Sequence, residues 1–145
     1  MIKMEIEYKQ FVIVPKKPNM SRGKVASQVA HATFMALENQ RAIEYPKGQY
    51  IGQCEKAKIK AWKNNGMCVI VLECPTQIEL MNIATYCEQW KIPFHLYIDE
   101  GITEIPMGTA TALSTGVVTK EQYWMFEQLK LFTDIPPPKK NKSWL

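Results

Sequence analysis

Two short segments of this chain gather residue types that can do chemistry. In the first, Ser21, Lys24, Gln28 and His31 recur at spacings of three, four and three, which places them on one face of a helix. A lysine in the first turn adds a full charge to the exposed amides and dipole of the helix N-terminus, and together these make a seat for phosphate. The second segment begins at Asp99 and brings Thr103 and then Gly108-Thr109, so that one carboxylate and two hydroxyls lie beside glycines that allow close backbone approach. A solvated helix face and ordinary loop polarity are the bland readings of these two segments. If the two converge, a lysine–carboxylate pair beside a histidine is the kind of perturbed cluster that enzymes use.

The elements that must position these residues follow from the apolar pattern. Phe11-Val12-Ile13-Val14 is a continuous apolar run stopped by Pro15, which predicts a strand buried on both faces. Ser21 caps a helix running from about Arg22 to Gln40, with Val25, Val29, Ala32 and Ala36 at helical spacing. A connection over 42–52 leads to a basic helix from Gln53 to Lys63, ended by Asn64-Asn65-Gly66. Met67 to Glu73 reads as a second strand, and Thr76-x-x-Glu79 opens a helix reaching about Trp90. Phe94 to Ile98 is a third strand, so Asp99 stands at its carboxyl end, where open α/β sheets present their ligands. A short strand near Ala110–Ser114 follows, then a last helix capped by Thr119-x-x-Gln122, with Tyr123, Trp124, Phe126 and Leu129 on its buried face. The first three strands, joined through helices, are most simply parallel neighbours. The expected fold is a three-layer α/β sandwich with a mixed, mainly parallel four-stranded sheet flanked by helices: one domain over residues 1–132, and a Pro/Lys-rich tail over 133–145.

Composition narrows the classes. The 145 residues are 46% hydrophobic and 22% charged, enough apolar content for one core and too little net charge for a disordered chain. No apolar run approaches the ~20 residues needed to span a bilayer. The N-terminal stretch has no secretory pattern, and a cytoplasmic location is expected. Cys54, Cys68, Cys74 and Cys87 form no CxxC pair, and His31 and His95 stand in no zinc-type spacing with them, so no metal site is expected. The net charge of +4 hides a segregation: residues 8–72 carry eleven bases against three acids, while residues 73–134 carry nine acids against three bases. A surface that meets phosphate suits the basic half, and solvated lysines are the alternative. GxSxG, GxxxxGK[ST] and GxGxxG motifs are all absent, which removes the nucleophile-elbow and nucleotide-loop readings.

The segment Met20-Ser21-Arg22-Gly23-Lys24-Val25-Ala26-Ser27-Gln28-Val29-Ala30-His31-Ala32 resembles the M-x-x-G-K-[IV]-A-x-Q-x-x-H-A helix of the archaeal and eukaryotic (type 2) peptidyl-tRNA hydrolases. Asp99-x-Gly101-x-Thr103-Glu104-Ile105-x-x-Gly108-Thr109-x-Thr111 is similar to the D-x-G-x-T-[EQ]-[IV]-x-x-G-[ST]-x-T loop of the same family. Trp62, Gly66, Val69–Leu72 and Leu129-Lys130-Leu131 also fit, so the likeness spans roughly residues 9–132. It implies hydrolysis of the ester between peptide and tRNA, without metal or organic cofactor, by a homodimer acting on peptidyl-tRNA. By matching position it makes Lys24 the oxyanion or phosphate partner, Asp99 the water-orienting base and Thr103 a hydrogen-bond support, with Gln28 and His31 orienting them. Lys16, Lys17, Ser21, Arg22, Gly108 and Thr109 are the substrate-binding candidates.

Some positions depart from the family pattern. The loop that usually reads R-x-D-L-x-M has Pro15, Lys17, Pro18 and Met20 at those places, and Glu100 and Ile102 replace the usual alanine and arginine. Two other functions stand beside the hydrolase: a non-enzymatic RNA- or tRNA-binding module on the same scaffold, and a protein-interaction or metabolite module. Salt-steep RNA binding without turnover marks the first; absence of RNA affinity marks the second.

Overall fold

A computed structural model describes residues 7–45, 54–101 and 105–133. Strand β1 (Tyr8–Pro15) leads to helix α1 (Arg22–Arg41), then helix α2 (Glu55–Asn64), strand β2 (Val69–Cys74), helix α3 (Gln77–Gln89), strand β3 (Phe94–Ile98) and strand β4 (Ala110–Thr119). The 42–52 connection and the tail 133–145 fall largely outside the described residues.

β1 is central because it has no polar face to show water. Phe11, Val12, Ile13 and Val14 are all at most 1% exposed, and burial of such side chains stabilises by about 1.5–3 kcal/mol each. Phe11 and Ile13 join the core under α3 with Leu72, Leu80 and Cys87, whereas Val12 and Val14 meet Ala32 and Ala112 under α1. Ile59 and Trp62 pack α2 onto Val117 and Leu37. The sheet is therefore covered on both sides.

The sheet is mixed, in the order β2-β1-β4-β3, and the mainly parallel arrangement expected from the sequence is overturned. Only β1 and β2 pair in parallel; β4 pairs antiparallel with both β1 and β3. The reason lies in β4, which is twice the expected five residues and almost wholly buried, so it takes the place between β1 and β3. Its polar residues do not exclude it from the interior: Thr111, Ser114 and Thr115 each find a hydrogen-bond partner there.

A second expectation fails after Thr119. In place of a last helix there is a single 3-10 turn, Phe126–Gln128. Phe126 stacks on Phe11 with centroids 5.2 Å apart and Tyr123 packs tilted against it at 5.5 Å, while Trp124 is 58% exposed. The chain then runs extended along β2, with Glu73 N donating to Lys130 O and Phe132 N to Val71 O. These bonds satisfy the outer edge of β2, a gain that a continued helix would forfeit.

Candidate active site

The loop from β1 delivers Ser21 as N-cap of α1, its hydroxyl accepting from Lys24 N at 3.3 Å. This sets Lys24 in the first turn, pointing across the carboxyl end of the sheet. From the other side, β3 ends at Ile98, and Asp99 is held by its main chain: its N–H donates to Thr109 O at 2.8 Å and its carbonyl accepts from Gly108 N at 2.9 Å. The two side chains meet there. Lys24 Nζ lies 2.8 Å from Asp99 Oδ1, and they are 9% and 7% exposed.

The second carboxylate oxygen, Oδ2, accepts from Gly101 N at 2.7 Å. Gly101 has φ +75°, and a Cβ there would stand 2.5 Å from Met107 N and Cα, so no other residue closes this turn without displacing the loop. The Lys24 hydrogen bond holds Asp99 below its ordinary pKa, aided by the Gly101 N–H and the charges of Lys24 and His31, against the opposing effect of burial. The carboxyl is an anion at neutral pH. It borders a cavity of about 430 Å³ lined with Ile98, Glu100, Met107 and Gly108.

Gln28 lies one turn along α1 from Lys24. Only 2% exposed, it accepts a hydrogen bond from the buried Thr111 hydroxyl, which joins α1 to β4. His31 is exposed, and its ring stacks on Tyr97 with centroids 4.9 Å apart. Thr109 turns its hydroxyl to Pro106 O at 2.7 Å, within its own loop. Arg22 and Lys17 are exposed at the mouth of α1. Lys16 is not part of this cluster: its ammonium donates to Thr133 O at 2.8 Å and lies over the Phe132 ring. Thr103 falls outside the described residues.

The motif spacing left two participants unassigned. Thr111 was visible as the last residue of the second motif, and only its burial reveals it as the partner of Gln28. Tyr97 carried no signal, being one aromatic in an apolar strand. Among the described residues, no group of three or more His, Cys, Asp or Glu side chains is placed to hold a metal ion, and no helix is long and apolar enough to cross a membrane.

The fold and site thus define an α/β protein with a nearly buried lysine–carboxylate pair at the carboxyl end of its sheet. The chain belongs to the PTH2 peptidyl-tRNA hydrolase family, whose model matches residues 8–132. It is 36% identical over 115 residues to a peptidyl-tRNA hydrolase of Thermococcus onnurineus, covering 79% of this chain and 87% of that one. It is 33% identical to a peptidyl-tRNA hydrolase of Methanopyrus kandleri, covering 79% and 89% of the two chains. A probable peptidyl-tRNA hydrolase 2 of Dictyostelium discoideum is 29% identical, covering 81% of this chain and 54% of that protein.

Proposed function

We propose that this peptidyl-tRNA hydrolase cleaves the ester between peptide and tRNA with Lys24 and Asp99 as its catalytic residues. The observation that carries this reading is the 2.8 Å contact between side chains 75 positions apart, each in one of two family motifs and together beside an open cavity. An ionised Asp99 accepts a hydrogen bond from water and aims its oxygen at the ester carbonyl. With its pKa depressed, it is too weak a base to remove the proton in the ground state. As the water oxygen bonds to the carbonyl carbon, negative charge grows on the carbonyl oxygen, and the Lys24 ammonium stabilises it. Collapse breaks the bond to the ribose oxygen, which leaves with one of the two water protons, and the peptide departs as a carboxylic acid that releases the other proton to solvent.

Gln28 positions α1 through Thr111, His31 stacks on Tyr97 beside the end of β3, and Thr103 supports the loop by its motif position. Ser21, Lys17, Arg22, Gly108 and Thr109 border the substrate; Lys16, turned toward Thr133, drops out of this group. A site of action in the cytoplasm accords with four free cysteines, and the homodimer that the resemblance implies is checked by sedimentation. A pure RNA-binding module has no use for a desolvated ion pair, which costs free energy to bury.

The test is release of the blocked amino acid from an N-acetyl-aminoacyl-tRNA. Turnover by the native protein, abolished in folded Lys24→Ala and Asp99→Ala variants, supports the assignment. RNA binding without turnover across a range of salt and pH overturns it.

A further inference from the structure

Five basic side chains of the front half are paired with an acid within the fold. Lys9 faces Glu127 at 4.0 Å, Lys16 faces Glu73 at 3.9 Å, and Lys24 bonds Asp99. Arg41 bonds Glu38 at 2.9 Å, and Lys58 bonds the buried Glu55 at 3.1 Å. Lys56, Lys60 and Lys63 differ: all three are exposed, and none makes an ion pair among the described residues.

Their spacing of four and three places them along one flank of α2. Ile59 and Trp62 on another side fix that orientation by packing against Val117. Like charges at this spacing repel and weaken the helix that bears them. The fold thus maintains an uncompensated row of lysines whose Cβ atoms stand about 5–6 Å from one to the next, at a local cost and with no intramolecular benefit, which is the form of a contact surface for a chain of regularly spaced anions.

The position of α2 identifies the anion. Gln40, near the end of α1, donates to Glu55 at the start of α2 at 2.7 Å, whereas Lys24 is in the first turn of α1. A helix of 20 residues is about 30 Å long at 1.5 Å per residue, so the lysine row lies roughly a helix length from the catalytic pair. A terminal trinucleotide held at Lys24 does not reach it, whereas a nucleic-acid helix, at roughly 3 Å per step, covers the gap in on the order of ten base pairs. Ala57 and Ala61, half-buried, and the exposed Asn64 offer no bulky apolar group for insertion into a membrane.

We propose that Lys56, Lys60 and Lys63 form a docking strip for the phosphate backbone of the tRNA stem, remote from the catalytic pair. This rests on the hydrolase reading above, and tests of the two separate. The triple variant Lys56→Gln/Lys60→Gln/Lys63→Gln removes charge without touching any residue of the catalytic cluster.

Binding of deacylated tRNA is measured against salt, and the slope of log affinity against log salt is expected to fall by about 2–3 for three lost phosphate contacts. Turnover of N-acetyl-aminoacyl-tRNA keeps its kcat while KM rises at least tenfold, and an N-acetyl-aminoacyl ester of a short CCA oligonucleotide is cleaved at the native rate. The matching arginine triple restores the slope, and each single Gln variant lowers it by about 0.7–0.9, so the strip remains testable without the triple. An unchanged slope overturns the proposal and leaves the row to an acidic protein or to solvent; equal damage to the short substrate overturns it as well. Should the native protein cleave neither ester, the binding slope still decides the strip while the hydrolase reading falls.

Discussion

Lys24 Nζ and Asp99 Oδ1 stand 2.8 Å apart with both side chains more than nine-tenths buried, and this ion pair ties the start of α1 to the end of β3. Removing one member leaves a nearly buried charge without its partner, for which about 3–5 kcal/mol is typical. Lys24→Ala is expected to lower the unfolding free energy by roughly 3 kcal/mol and ester hydrolysis by at least 10²-fold, the usual cost of an oxyanion partner. The double variant Lys24→Met/Asp99→Leu should recover much of the stability and none of the activity. Urea titrations alongside the ester assay check both parts; a double variant no more stable than either single one refutes the coupling.

The pH dependence has a definite sign. Asp99 is held below its ordinary value of 3.8 by the Lys24 hydrogen bond first, assisted by Gly101 and by nearby charge. A carboxyl with a depressed folded-state pKa contributes stability that is fully present above its unfolded value and is lost as pH falls through its folded value. Native protein should therefore lose this contribution only below about pH 4, and Asp99→Asn should show a flatter acid limb. Denaturant midpoints measured from pH 7 down to the acid transition test this. In the native protein, activity between pH 6 and 8 should show no inflection from Asp99, whose carboxyl is already ionised there.

Gln28 accepts from Thr111 across the α1–β4 interface. Gln28→Leu strands a buried hydroxyl and is expected to cost about 1–3 kcal/mol. Because the change loosens the turn that carries Lys24, kcat should fall while KM for full-length substrate stays near native. Gln28→Leu/Thr111→Val removes both polar groups and should regain stability. A KM effect larger than the kcat effect would place Gln28 against the substrate instead.

Local signals made much of this molecule readable. The Phe11–Val14 run marks β1, and Thr76 and Glu79 form the reciprocal capping box their spacing announced. The third strand, Phe94–Ile98, lies where its pattern placed it. What failed was non-local. The position of β4 between β1 and β3 depends on polar partners that arrive from α1 and β1, with Gln28 on Thr111 and Gln10 on Ser114, and no window of sequence contains both ends of such a bond. Gln40 is another case, gripping the N–H and C=O of Val117 where a Cβ on Gly116 would collide with its amide. In the site, spacing placed Lys24 and Gln28 on one helix face and Asp99 at a strand end. It gave no hint that Gln28 faces the interior or that Lys16 turns to Thr133, because burial and competing acceptors are set by the tertiary fold.

Gly101 provides the sharpest test of how the carboxylate is held. Its N–H bonds Asp99 Oδ2, its φ is +75°, and an added Cβ would meet the Met107 backbone at 2.5 Å. Gly101→Ala must either strain the turn, at about 1–3 kcal/mol, or swing the loop and break the Gly101–Asp99 bond. In the second case Asp99 retains Lys24 but loses its fixed orientation, so hydrolysis falls by more than tenfold while the global unfolding transition barely moves. Amide exchange at residues 99–109, compared between native protein and variant, distinguishes a strained closed loop from an opened one. Native protection with native activity would mean that this turn does not set the geometry of the carboxylate.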